Sequence, residues 1–341
     1  MLPSPRVMKR GVQAFILFST AGTLLGMWWR RPAGIGEVVS HLDIRFAVLL
    51  IPLIALDFWL GGLRYRLFFD GITMPYVSLW ECMRSNWANM FMGAVTPFQT
   101  GGAPAQLYVL WRRGVPLADS LLVSTVNLVA TLTFFLVSSL LAIYWIPPDL
   151  FGADFSQVFY TGFTVVSCIA GALLLFLFFP ERAHALLGKL LGLLPGKSGA
   201  ALNRRRAFLG RVDEELQRFQ RGFRSIVSHN KRGIALTVIA TQVLFFNKYL
   251  MGYVIARSIG EEVPFEAFIG LQIIQLLLIY FAPTPGASGV AELSSVWLMG
   301  KLMPGPLLLV YALLWRLVTT VFGAIIGGLV LLHEFREAGS E

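Results

Sequence analysis

The sequence predicts an all-α polytopic membrane protein with about six transmembrane helices and two re-entrant helical hairpins in an inverted repeat. Three observations support this fold class. The chain is 56% apolar and only 14% charged, with a mean hydropathy of +0.69, which is more apolar than soluble domains are. Apolar runs long enough to cross a bilayer recur along the whole chain. Two breaks rich in glycine and proline interrupt apolar segments at matching places.

Six apolar runs approach or exceed the ~20 residues that a helix needs to cross the hydrocarbon core. They lie at 11–29, 46–63, 117–145, 158–179, 233–257 and 306–332. The basic start of the chain resembles a signal peptide, but no small-residue cleavage site follows, so the first run is predicted to stay as a span. With the N-terminus inside, 20 of the 28 Lys and Arg residues fall on the cytoplasmic side, as the positive-inside rule expects. We therefore predict a multi-pass protein of a bacterial-type plasma (inner) membrane with both termini in the cytoplasm.

Each break separates two helical arms, and the second arm is too short to cross a membrane alone. The breaks read GAVTPFQTGGAPAQ and YFAPTPGASGVAE, and the arms are 77–94 with 102–111 and 265–281 with 290–299. An unpaired backbone group in hydrocarbon costs several kcal/mol, so a broken helix persists only beside protein or a wet cavity. Paired breaks of this kind are typical of transport sites.

Three pairs of motifs repeat at nearly one offset, which predicts the inverted repeat. Asp57-x-x-Leu60-x-Gly62 matches Asn247-x-x-Leu250-x-Gly252 at 190 residues, the Thr-Pro pairs of the breaks repeat at 188, and NLVATL matches RLVTTV at 189. The spans beside the two hairpins run in opposite directions, so one hairpin enters from the cytoplasm and the other from outside. The two breaks should then meet about a two-fold axis in the membrane plane.

One integral membrane domain, 1–341, accounts for the whole chain. Its parts are a first half with one hairpin, the fourth span with the start of a cytoplasmic connection, a basic amphipathic helix, and the rest of the second half with the other hairpin. These correspond to 1–150 with 77–111, 151–202, 203–232, and 233–341 with 265–299. The amphipathic helix has apolar residues at helical spacing opposite basic ones, which predicts an interfacial helix on anionic headgroups.

The returning arm of each hairpin begins at glycine, which predicts an anion site. Near Gly101-Gly102 and Gly289 the free N–H groups and the positive end of the helix dipole would point into the membrane interior. Thr100 and Ser288 add hydroxyl donors. The alternative is that small residues only allow close helix packing. The predicted substrate-binding residues of the two breaks are Thr96, Pro97, Thr100, Gly101, Gly102, Gln106, Thr284, Pro285, Gly286, Ser288, Gly289 and Glu292.

Charged and polar residues deep in the spans extend this set. Arg316 lies about ten residues into its span, roughly 15 Å deep, and Asn127 lies at the equivalent depth in the other half. An arginine at that depth is costly without a partner or a cavity, so function is the default hypothesis. Its alternative is a buried pair with Glu292 or Asp57. Lys248 and Asp57 either pair with each other or, with Glu292, titrate during transport.

Arg84 lies in the first arm of the first hairpin, with Glu81 one turn earlier. It either attracts headgroups or satisfies Glu81.

Metal, cofactor and nucleic-acid sites are not predicted. The four histidines fall in polar connections or at span ends, and no nucleophile–base or metal-ligand spacing occurs. Cys82 and Cys168 lie far apart in apolar segments, so they are interpreted as packing residues. The net charge of +9 comes mainly from connecting loops, which cytoplasmic retention explains without nucleic acid.

The motifs of the breaks resemble the transmembrane-region family of lysylphosphatidylglycerol synthase, also described as flippase-like, over nearly the whole chain. The family patterns P-x-x-x-G-G-x-P and T-P-G-x-x-G-V-x-E read here as 97–104 and 284–292, and Trp315-Arg316 follows. The chain departs from the family at Ala103, where many members have Glu with a basic residue near Gln106. It also departs at Val126-Asn127, where many have an acidic–basic pair.

This resemblance implies lipid translocation without lipid synthesis, because the soluble aminoacyl-transferase domain of the synthases has no counterpart in the sequence. The expected substrate is an anionic lipid, such as a phospholipid or a polyprenyl-phosphate-linked sugar, bound between the two breaks. Bilayer lipids are the other expected partners, and the oligomeric state stays open. The alternatives are a secondary transporter for a small anion, and an intramembrane phosphatase or transferase with Glu292 or Asp57 as base.

Overall fold

A computed structural model of the protein describes residues 42–72, 74–146, 153–179, 219–303 and 305–340. Within these ranges the regular structure is helical and no strand occurs. The predicted span 11–29 and residues 203–218 of the predicted amphipathic helix lie outside the described residues.

The described helices are, in chain order, α1 Ile44–Arg66, α2 Leu79–Val95, α3 Gly102–Arg112, α4 Leu117–Trp145, α5 Ala153–Phe178, α6 219–229, α7 Lys231–Ser258, α8 Phe265–Tyr280, α9 Val290–Met299, α10 Gly305–Arg316 and α11 Phe322–Ser340. A π-helical turn, Leu317–Val321, joins α10 to α11. Polar caps explain where three of the helices begin. The side chains of Asp43, Ser78 and Asn230 accept hydrogen bonds from backbone N–H groups in the first turns of α1, α2 and α7, which would otherwise be unsatisfied.

Five helical segments in the described ranges are long and apolar enough to cross a membrane. They are Ile44–Arg66, Leu117–Ala142, Ser156–Phe178, Lys231–Ser258 and Leu307–Glu337. The five predicted spans that fall in the described ranges, from 46–63 to 306–332, coincide with them. The prediction of an all-α polytopic membrane protein is therefore confirmed.

The two predicted breaks separate helices at the expected places. α2 ends at Val95 and α3 begins at Gly102, while α8 ends at Tyr280 and α9 begins at Val290. With ten residues, α9 is about 15 Å long, roughly half the thickness of a bilayer core. The four helical arms are confirmed, and their re-entrant placement in a membrane stays a prediction.

Both breaks contain the same unusual backbone. Each carries a short 3-10 turn led by proline, Pro97–Gln99 in the first and Pro285–Ala287 in the second, and we name these the first and second turn. Phe98 and Gln99 have φ of 50° and 56°, and their counterparts Gly286 and Ala287 both have φ of 56°. Left-handed φ is costly for side chains other than glycine. Its recurrence 188 residues apart is strong support for the internal repeat.

Helix contacts follow the pairing expected of two related halves, in which α1 corresponds to α7, α2 to α8, α3 to α9, and α4 to α10 with α11. α1 packs against its counterpart α7. The contact of α2 with α11 is matched by that of α8 with α4, and the contact of α3 with α4 by that of α9 with α10. The same arrangement brings the two turns into contact.

The described end of the predicted amphipathic helix, α6, packs against protein. Phe219 and Phe223 contact Phe176 and Phe178 of α5, and Phe223 is buried in a cluster with Leu122 of α4. In this part of the helix the apolar face therefore covers neighbouring helices rather than headgroups.

Candidate functional site

The first and second turns meet. Cα atoms of Pro97–Gln99 approach those of Pro285–Ala287 within 8 Å, and α2 also contacts the second turn. The predicted approach of the two breaks is confirmed. Their position at the membrane midplane stays a prediction.

A cavity of about 520 Å³ lies beside the meeting turns and is walled by both halves. Its wall combines charged, amide and apolar side chains. The charged ones are Asp57, Arg64, Lys248 and Arg316. The amides are Asn86, Asn89, Gln99, Gln106 and Asn127. The apolar part includes Leu121, Leu128, Leu244, Phe245, Leu276 and Ile279.

Arg316 is held by the second break and by a carboxylate. Its Nη1 donates to the carbonyl oxygen of Gly286 at 2.9 Å, its Nη2 donates to Ser288 Oγ at 3.2 Å, and its Nε lies 3.2 Å from Glu292 Oε1. Glu292 Oε2 accepts the N–H of Gly289 at 2.6 Å. The buried pair with Glu292, one of the two interpretations of Arg316 from sequence, is present, although Arg316 also contributes to the cavity wall.

Asp57 and Lys248 form a second intramembrane pair across α1 and α7. Lys248 Nζ lies 2.7 Å from Asp57 Oδ1 and 2.9 Å from Asp57 Oδ2. Both residues line the cavity. Of the two interpretations from sequence, the pairing is observed, and a role in titration stays a prediction.

Arg64, in the last turn of α1, is a cavity residue that the sequence analysis missed. Its charge was assigned to cytoplasmic retention because it ends a span. In the structure it lines the cavity beside Tyr65 and Tyr280. A signal was available, because Arg64 stands seven residues after Asp57, two helical turns along the same face.

Three other wall residues carry buried polar atoms without a hydrogen-bond partner in the described chain. These atoms are Gln106 Nε2, Trp315 Nε1 and Asn127 Oδ1. Gln106 Oε1 accepts from Asn89 Nδ2 at 2.8 Å, and Asn127 Nδ2 donates to its own helix at Val123. Gln106 and Asn127 thus lie where the sequence predicted, with hydrogen-bonding capacity to spare.

The N–H groups of Gly101 and Gly289 are already bonded within the protein. The N–H of Gly101 donates to Thr96 Oγ1 at 2.8 Å, as the N–H of Gly289 does to Glu292. A Cβ at Gly101 would crowd Thr96, and one at Gly102 would crowd Asn89. The glycines of the first break therefore serve close packing here, and the expectation that the Gly101 and Gly289 N–H groups are free is wrong.

The remaining predicted residues of the breaks differ in whether they line the cavity. Gly286 lines the cavity, whereas Thr96, Pro97, Thr100, Thr284, Pro285 and Ser288 do not. Thr100 Oγ1 donates to the carbonyl of Pro97, within its own turn.

Arg84 lies outside the cavity in a separate ionic cluster. It pairs with Glu81 at 3.1 Å and with Glu334 of α11 at 2.7 Å, and Arg113 contacts the same two carboxylates at 2.8 and 2.7 Å. Glu334 is completely buried. The structural interpretation of Arg84, satisfaction of Glu81, is therefore the observed one, with Glu334 as an unforeseen partner.

Hydrogen-bond donors and cations dominate the chemistry of the site. Within the described ranges no group of three His, Cys, Asp or Glu residues could hold a metal ion. Both Cys82 and Cys168 are free. The arrangement suits binding of an anion that carries an apolar portion.

Comparison with known proteins gives a consistent picture. The family described as "Lysylphosphatidylglycerol synthase TM region" matches residues 14–327. A "UPF0104 membrane protein" of Archaeoglobus fulgidus is 27% identical over 283 residues, which cover 80% of this chain and 83% of that protein. No solved structure matches.

Proposed function

The chain belongs to the lysylphosphatidylglycerol synthase TM-region family, and from this premise we propose that it is a flippase for an anionic, phosphate-bearing lipid. The headgroup enters the cavity between the two turns while the hydrocarbon chains stay in the bilayer. Candidate lipids are phospholipids and polyprenyl-phosphate-linked sugars. In this proposal the two breaks are re-entrant, and the protein lies in a plasma membrane with both termini in the cytoplasm.

One observation carries the proposal, namely that cations and an apolar surface share one cavity where the two halves meet. Arg64, Lys248 and Arg316 stand against a single lining carboxylate, that of Asp57. Leu244, Phe245 and Leu276 supply the apolar surface. A lipid phosphate with the first part of its chains needs this combination, because the phosphate requires donors and the chains require apolar contact.

Two leucines of α4 favour a lipid over a small soluble anion. Leu121 and Leu128 belong to the cavity wall and are 46% and 39% exposed. α4 is one of the helices apolar enough to cross a membrane, so we propose that their exposed surface meets lipid. A cavity that reaches such a face has a lateral entrance from the bilayer, which a closed aqueous path does not need.

Reconstituted liposomes test the proposal. Purified protein is incorporated with a fluorescent-tailed phosphatidylglycerol or phosphatidylcholine, and the lipid that reaches the other leaflet is measured by quenching from outside. We expect rapid exchange of phosphatidylglycerol only. Thr125→Trp fills the cavity and should slow exchange at least tenfold, equivalent to about 1.4 kcal/mol in the barrier.

Thr133→Trp is the matched control. Thr125 and Thr133 both lie on α4 and both donate to the backbone four residues earlier, at 2.9 Å, but only Thr125 lines the cavity. Equal slowing by both variants, or no exchange by the wild type, would refute the proposal. Detection of a chemically altered lipid by mass spectrometry would favour the enzyme alternative over the flippase.

A further inference from the structure

The cations of the cavity differ in whether a carboxylate neutralises them. Arg316 has Glu292 at 3.2 Å, and Lys248 has Asp57 at 2.7 Å. Arg64 has no carboxylate within 4 Å in the described part of the chain. Asp57 stands two turns before it on α1, about 10 Å along the helix axis, and is committed to Lys248.

Hydrogen bonding leaves Arg64 unsatisfied as well. Its Nη1 reaches Thr241 Oγ1 at 3.5 Å, the long limit of a hydrogen bond. Its Nε is buried without a partner. Arg64 as a whole is partly buried, but its Nε has lost its hydration, and nothing in the described chain returns an equivalent interaction to that atom. The guanidinium therefore keeps hydrogen-bonding capacity for an anion in the cavity.

We propose that Arg64 is the phosphate ligand of the cavity and that the site selects a single negative charge, that of a phosphodiester monoanion. This inference rests on the proposed function and names the group that holds the headgroup. It displaces Arg316, the residue favoured from sequence, which is occupied by Gly286, Ser288 and Glu292.

The charge balance of the cavity defines the ligand class. Two of its cations are compensated by Glu292 and Asp57, which leaves one positive charge, at Arg64. A phosphodiester carries one negative charge, so it leaves the loaded cavity neutral. A zwitterionic lipid would bring a second cation beside Arg64, and a dianionic phosphomonoester would leave one charge uncompensated. The fork of a guanidinium suits two oxygens of one phosphate.

Binding to the detergent-purified full-length chain tests this assignment. The probes are dihexanoyl-phosphatidylglycerol, dihexanoyl-phosphatidylcholine and inorganic phosphate, each titrated while thermal unfolding is followed. We expect phosphatidylglycerol to raise the Tm of the wild type and phosphatidylcholine not to. Arg64→Gln should weaken phosphatidylglycerol binding at least about tenfold, as expected for loss of a charged hydrogen bond. Arg64→Lys should restore part of it.

Arg66→Gln is the matched control, with the same charge change two residues away. Arg66 donates to the carbonyl of Phe69 at 2.9 Å and stacks over Tyr76, and it does not line the cavity. This variant should bind phosphatidylglycerol as the wild type does. Without ligand, Arg64→Gln should unfold at or above the wild-type Tm, because it removes an uncompensated charge, whereas a structural arginine would lower the Tm when replaced.

The outcomes separate the inference from the proposed function. Wild-type binding by Arg64→Gln, or a Tm well below wild type for the empty variant, overturns the role of Arg64 even if the wild type exchanges lipid. Binding of inorganic phosphate as tight as that of phosphatidylglycerol, lost in Arg64→Gln, would keep Arg64 as the phosphate ligand but overturn the selection of a phosphodiester. If no lipid exchange were seen as well, the flippase proposal would be overturned while Arg64 would remain the phosphate ligand.

Discussion

Arg316 and Glu292 form an ion pair at the start of α9, because the arginine Nε lies 3.2 Å from Glu292 Oε1 while Oε2 of the same carboxylate accepts the N–H of Gly289. The same guanidinium donates a hydrogen bond from Nη1 to the carbonyl oxygen of Gly286. A single ion pair thus fixes the second turn, the start of α9 and the end of α10 relative to one another. Loss of this ion pair should therefore lower the stability of the protein more than it weakens ligand binding.

Replacement of one member of this pair should therefore destabilise the protein. Arg316→Gln leaves Glu292 buried and uncompensated, which costs roughly 3–5 kcal/mol. Thermal unfolding in detergent should show a lower Tm for Arg316→Gln and for Glu292→Gln, and partial recovery in the double variant. A single variant with wild-type Tm but weakened phosphatidylglycerol binding would instead make Arg316 a substrate ligand.

A second prediction concerns the ionic cluster at Glu334. Glu334→Gln removes one of the two carboxylates that Arg84 and Arg113 share, so two closely spaced cations keep only Glu81 between them, at a cost of roughly 3–5 kcal/mol. Chemical unfolding should show a lower free energy of unfolding for Glu334→Gln than for the wild type. Glu337→Gln, on the same helix, is the control. Glu337 pairs with His333 at 3.4 Å and its side chain is 41% exposed, so it should change stability by less than about 1 kcal/mol. Similar losses for both variants would contradict the prediction.

Close packing of α11 on α2 gives a third prediction. A Cβ at Gly327 would collide with the carbonyl oxygen of Trp87, whereas one at Gly171 would meet open space. Gly327→Ala should force the helices apart and lower the free energy of unfolding by about 1–3 kcal/mol. Gly171→Ala should leave it unchanged or raise it slightly. An unchanged Tm for Gly327→Ala would contradict the close packing of α11 on α2.

The first turn gives a fourth prediction. Gln99 has φ of 56°, whereas the next residue, Thr100, has φ of −63°, and both side chains are exposed. Gln99→Gly should relieve left-handed strain and stabilise the protein by about 1 kcal/mol. Thr100→Gly should destabilise it, because no strain is relieved and the flexible glycine loses entropy on folding. The denaturation midpoints of the two variants measure this difference. A lower midpoint for Gln99→Gly than for Thr100→Gly would refute the strain at Gln99.

The helices and breaks were predictable because hydrophobic length and turn chemistry are local. α4 was predicted at 117–145 and is Leu117–Trp145, since a proline and a loop precede a single long apolar run. The pairing of the halves followed from the repeat offsets alone. The left-handed residues were not foreseen, because phenylalanine and glutamine at 98–99 give no signal of positive φ.

The site was predicted less well, for reasons that are not local. Whether Arg316 meets substrate or Glu292 depends on side chains brought together by folding, and the sequence left both possibilities open. Arg64 was overlooked because a basic residue at the end of a span satisfies the positive-inside rule without any further role. The N–H groups of Gly101 and Gly289 were expected to be free. Their bonds to Thr96 and Glu292 depend on the folded geometry of the breaks, which the sequence does not show.

The contact between the first and second turns also sets the thickness of the barrier that a proposed substrate must pass. A bare hydrocarbon core is about 30 Å thick, whereas the Cα atoms of the turns lie within 8 Å of one another. In the proposed flippase, a headgroup beside the turns would be separated from the opposite side by these two turns instead of by hydrocarbon. Its crossing rate would then be governed by how often two three-residue turns part, and loop motions belong to the nanosecond-to-microsecond range. The solubility of a phosphate in hydrocarbon would no longer limit the rate.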